Sequence, residues 1–159
     1  MPVTQLKKDL GMIRIILIIV FFSFCHFSLA QNRSAIDSLF QVKDYLLNVK
    51  HCINEEQTGE EKIAQLKQFI KLASSQEAIF ERNATTIIKN KQELKQLKTT
   101  LHSILQSIIL YYEDITQNGK SPTESLYLNK NIPPLVDKIY YYCKIEKLKV
   151  QKRTPKKQY

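Results

Sequence analysis

The side chains able to do chemistry are few, and their spacing argues against most chemistry. After residue 30 the chain has two histidines, His51 and His102, and neither has ligand-like neighbours in sequence. His51-Cys52 is not a haem-attachment motif, which needs two cysteines before the histidine. No Glu-x-x-His pair occurs, so the carboxylate-bridged di-metal bundle is excluded. The only methionines, Met1 and Met12, precede residue 30, which removes a bundle haem held by Met and His from the mature chain. Glu55-Glu56 and Glu60-Glu61 bracket a turn and fit solvated helix ends better than a paired acid and base. There is no phosphate loop and no nucleophile elbow. The expectation is a non-enzyme with no metal, no cofactor and no catalytic residue.

Three other groups could still act. Cys52 and Cys143 are the cysteines left beyond residue 30, and an oxidising compartment permits a disulfide between them. Such a bond would close a loop of roughly 90 residues, worth about 4.6 kcal/mol in the chain-entropy picture; two separate buried thiols are the alternative. Tyr140, Tyr141 and Tyr142 are consecutive, and on a helix they point about 100° apart, so at least one should face outward. Tyrosine pairs a stiff apolar body with a polar tip, which suits a protein-binding surface as well as a core edge. Lys147, Lys149, Lys152, Arg153, Lys156 and Lys157 form a basic C-terminal end that could meet an anionic envelope or matrix surface. Nucleic acid is not expected as a partner, because the tail lacks interleaved aromatics for stacking on bases.

These residues are expected outside the cytosol. Lys7, Lys8 and Arg14 precede the apolar run Ile15 to Phe24, and Ser28-Leu29-Ala30 leads into Gln31. Charge, a short apolar core and small residues make a signal peptide, with cleavage after Ala30. The apolar core falls short of the roughly 20 residues of a spanning helix. An uncleaved anchor or a lipid on Cys25 would leave the domain on the same side of the membrane, although bulky Phe24 speaks against the lipid. Met12 could equally start the chain, since Arg14 and the apolar run already complete a signal. Asn32-Arg33-Ser34 and Asn83-Ala84-Thr85 match the glycosylation sequon, a pattern short enough to arise by chance.

Charge follows position. The formal net charge is +9. Residues 1–30 hold Lys7, Lys8 and Arg14 against Asp9, while residues 144–159 hold seven Lys or Arg against Glu146. The body in between is close to neutral, so the basic pI belongs to the tail.

The elements that position these groups read as helices. Glycine is scarce, no alternating strand pattern appears, and apolar residues recur at three- and four-residue steps. A first helix is expected from about Ser34 to Ile53 on the stripe Ala35, Leu39, Val42, Leu46, Val49 and Ile53, with Ser34 as its cap. Thr58 with Glu61 is a capping box for a second helix carrying Ile63, Leu66, Ile70 and Ala73. At Ser74-Ser75 the chain could restart or continue. Leu94, Leu97, Leu101, Ile104, Ile108, Tyr111 and Ile115 keep a heptad spacing, as in shallow-angle bundles. Gln117 to Pro122 is a breaker, followed by a loop of about 15 residues and a last helix from Pro133-Pro134.

The expected architecture is all-α: an up-and-down bundle of three to four helices, antiparallel and coiled-coil-like. Its parts are a signal peptide (1–30), a bundle domain (31–150) and a disordered basic tail (151–159). The function that follows is that of an exported, periplasmic or secreted adaptor or structural protein. It would act through a protein partner, an envelope surface, or self-association along a helical face. The other candidate is a secreted four-helix cytokine-like ligand. It requires two long crossovers, and only the 117–132 segment looks long enough for one.

Overall fold

The computed structural model describes residues 30–55 and 59–153. The leader before Ala30, the Thr58 capping box and residues 154–159, with Lys156 and Lys157, lie outside the described residues. Four helices account for nearly all of the rest: α1 (30–54), α2 (Gly59–Ile87), α3 (Lys91–Asn118) and α4 (Pro122–Arg153). The links between them are only three or four residues long. Helices joined so tightly must run antiparallel to their neighbours.

Cross-helix contacts give the order around the bundle. Tyr45 donates to the Phe69 carbonyl oxygen at 3.0 Å, joining α1 to α2. His102 meets Glu77 at 2.8 Å and Lys98 meets Glu81 at 3.7 Å, joining α2 to α3. Lys138 reaches Glu93 at 2.7 Å, joining α3 to α4. The ring closes where Asn32 Nδ2 donates to Glu146 Oε1 at 3.0 Å and Asn54 pairs with Asn129 at 2.8 Å. As the α1 number rises, the α4 number falls, so the first and last helices are antiparallel too. The result is an up-down-up-down bundle.

The core brings together most of the predicted stripe residues, although Ile63, Ile70, Leu94 and Ile115 are only partly buried. All six α1 stripe residues are buried, with Val42, Leu46 and Val49 fully so. In α2 the fully buried side chains are Leu66, Phe80 and Ala84, and Ala73 joins them. The α3 stripe buries Leu97, Leu101, Ile104, Ile108 and Tyr111. Heptad spacing thus turns one face of each helix toward a shared centre.

Helix ends follow local chemistry. Asn90 is extended (φ −74°, ψ 108°), and its side chain accepts from the Gln92 and Glu93 amides, which are first-turn donors with no helical partner. Gly119 adopts φ 71°, and its N–H closes α3 on the Ile115 carbonyl. That left-handed conformation costs any side chain with a Cβ. At the end of α1, Lys62 donates to the carbonyls of Ile53 and Glu55, at 3.2 and 2.8 Å.

Three expectations are corrected, and at Ser74-Ser75 the second of two alternatives holds. The helix over Ser74-Ser75 is continuous, with Ser75 Oγ donating back to the Leu72 carbonyl. Ser34 is no cap, since α1 is already helical from residue 30. The expected loop before Pro133 does not exist: α4 starts at Pro122 and passes through both prolines. Leu128 and Ile132, both fully buried, extend the apolar stripe of Leu135, Ile139 and Cys143 backward. Burying the two is worth about 3–6 kcal/mol together, of the same order as the roughly 3 kcal/mol that each internal proline costs. At the other end, residues 151–153 are helical, against the disordered tail expected from 151.

Candidate functional site

The three tyrosines diverge as helical geometry requires. Tyr140 and Tyr141 are about half exposed, at 50% and 55%, on the outer face of α4. Tyr140 packs against Phe40 of α1, with ring centroids 6.4 Å apart, and Lys144 Nζ lies 5.9 Å from its ring centre. Tyr142 turns inward toward α3, where its hydroxyl donates to Glu93 Oε2. Its ring meets Tyr141 edge-on at 5.4 Å.

Glu93 organises this corner. It sits in the first turn of α3, where Asn90 fixes the backbone and the helix dipole favours an anion. The Lys138 and Tyr142 hydrogen bonds hold its carboxyl below the ordinary carboxylate range, and Lys138 is raised in return. Tyr142 is pushed up to about 12, chiefly because its hydroxyl donates to a carboxylate. Together with Pro134 and Asp137, these groups line a shallow groove of roughly 620 Å³, with Tyr141 on its edge. One tyrosine is locked, and its neighbours are presented. A phenol held neutral by a carboxylate is a poor general base.

The basic residues occupy one end of the bundle. Lys147, Lys149 and Lys152 are exposed on the last turns of α4, and Arg153 ends the helix. Lys149 pairs with the buried Glu146 at 3.3 Å. Where α4 meets the start of α1, a groove of about 250 Å³ is lined by Arg33, Ile36, Asp37, Phe40, Lys147 and Val150.

The cysteines do not come together. Cys52 and Cys143 are both buried and both free thiols. Phe40 packs against Tyr140 and Asn32 against Glu146, so Cys143 lies level with the early turns of α1, at least twelve residues before Cys52. At 1.5 Å per residue that is about 18 Å along the axis, far beyond disulfide reach. The disulfide expectation is therefore corrected to its alternative. Burial raises both thiols, Cys143 to about 11. Both sequon asparagines lie in helices, with Asn32 bonded to Glu146 and Asn83 donating to the Ile79 carbonyl at 2.7 Å. His51 and His102 each meet a single glutamate, Glu55 and Glu77.

Asn90 and Glu93 were missed from sequence, though Asn-x-x-Glu is a helix-start signature. Glu93's partners lie 45 and 49 residues away, and no local pattern reveals them.

Among the described residues, no three His, Cys, Asp or Glu could hold a metal ion, and no helix is long and apolar enough to cross a membrane. Comparison with protein families, curated proteins and solved structures gives no match. Fold and site together define a four-helix bundle with a tyrosine-bearing outer face.

Proposed function

We propose that this chain is an exported, non-enzymatic helical protein that works by contact, with the outer face of α4 as its protein-binding surface. The observation that carries the reading is the adjacent exposed pair Tyr140 and Tyr141, on a helix braced from behind by Tyr142, Glu93 and Lys138. A surface fixed before binding loses little conformational entropy on association. Export is supported by the order of charge, apolar run and small residues up to Ala30.

The cytokine-like alternative is disfavoured by connectivity. Up-up-down-down bundles need two long crossovers, whereas the three links here are 55–58, 88–90 and 119–121.

The test is a double variant, Tyr140→Ser with Tyr141→Ser, in the native host. Both side chains are half exposed, so helical content and the unfolding midpoint should hold. Co-purification of the partner should fall at least tenfold. Undiminished co-purification, or a chain retained in the cytosol with its leader, contradicts the reading.

A further inference from the structure

We infer that the end of the bundle where α1 begins and α4 finishes docks against an anionic phospholipid bilayer. The inference rests on the contact-protein reading above but not on its tyrosine face.

The first ground is segregated charge. When each helix is divided near its middle, this end holds residues 30–42, 76–90, 91–104 and 138–153. In the α4 part, six Lys or Arg face Glu146 alone; in the α3 part, Lys91, Lys95 and Lys98 face Glu93 alone. The α1 and α2 parts each balance, so the end carries +7. The opposite end carries −2: residues 43–75 balance, and within 105–137 Glu113, Asp114, Glu124 and Asp137 outnumber Lys120 and Lys130. One strongly charged end on an otherwise weakly charged rod orients the molecule in a surface field.

The second ground is where the C-terminal segment joins. Residues 154–159, with Lys156 and Lys157, attach at the same end. Further basic sequence therefore joins the bundle at its positive end.

The third ground separates a bilayer from an acidic polysaccharide. The α1–α4 groove has an apolar floor of Ile36, Phe40 and Val150 between Arg33 and Lys147, with Asp37 also on its wall. A lipid phosphate with the first carbons of its chain offers both kinds of contact; a sugar acid offers one. Each basic residue near an anionic surface is worth about fivefold in binding.

Lysine footprinting of the full chain tests this. The chain is bound to vesicles of neutral phosphatidylcholine, or of the same lipid with about one third phosphatidylglycerol, and its lysines are acetylated and mapped by mass spectrometry. On the anionic vesicles, labelling of Lys147 and Lys152 should fall at least fivefold and recover in 0.5 M salt, while Lys67 and Lys120 in the far half keep their reactivity. In an Arg33→Glu, Lys147→Glu variant with unchanged helical content, protection of Lys152 should be lost. Equal labelling on both vesicle types would overturn the proposal. So would protection by alginate in the absence of vesicles that matches the effect of the anionic bilayer. Loss of partner binding in the tyrosine variant leaves this footprint intact, so the two readings fail separately.

Discussion

At the scale of single residues, Glu93 couples two α4 groups, Lys138 and Tyr142, and its effect is visible in a titration. Its carboxyl is held low by Lys138 and Tyr142, so the stabilisation is present above the ordinary carboxylate range and is lost as pH falls through the lowered value. Tyr142, raised to about 12, contributes fully below its ordinary value of 10.0, and that contribution is lost as pH rises through about 12. In a phenolate absorbance titration, Glu93→Gln should bring one tyrosine down from about 12 toward 10, and an unchanged curve would remove Glu93 as the cause. Tyr45 stays high in both proteins, since burial alone raises it. The thiols give a second prediction. In the chain cleaved after Ala30, a disulfide reagent should find no fast-reacting cysteine when folded and two, Cys52 and Cys143, after unfolding without any reductant; a bridged pair would yield none. The tyrosine triplet was legible in the sequence because three neighbours on a helix cannot all face inward. The cysteines were not, because loop length says nothing about height along a bundle, and that is set only once α1 and α4 pair.

At the scale of elements, the stripes of α1 and α3 were readable because heptad spacing depends on nothing but the helix itself. The course of α4 was not readable. Two consecutive prolines look like a start from sequence, since an internal pair costs two backbone hydrogen bonds. What overrides them is burial of Leu128 and Ile132, upstream residues whose partners lie on other helices. Substituting both prolines by alanine should accordingly stabilise the protein by about 2–3 kcal/mol or more in urea unfolding, after allowance for the looser unfolded chain. An unaltered or lower midpoint would mean that the prolines are not a strained interruption. Asn90→Ala should cost about 1 kcal/mol through the two amides it leaves uncapped, measured in the same way.

At the scale of the whole molecule, short links, the antiparallel closure of α4 on α1 and one shared core produce a rigid rod with distinct surfaces. Phe80 is fully buried within α2, and Phe80→Ala should destabilise by about 3–5 kcal/mol in chemical denaturation through the cavity left behind. A much smaller loss would indicate a loosely packed centre. The charge imbalance between the two ends was half legible: the basic tail could be read directly, but its alignment with the start of α1 and with Lys91, Lys95 and Lys98 needed the fold. The outer face of α4 belongs to this scale too, because a contact surface has meaning only relative to the faces that stay bare. The most direct test places a photo-activatable residue at position 141, and separately at Lys71 on α2, in the exported protein in its host. Position 141 should yield a discrete cross-linked species that position 71 does not. Identical patterns from both positions, or none from 141, would contradict the central claim.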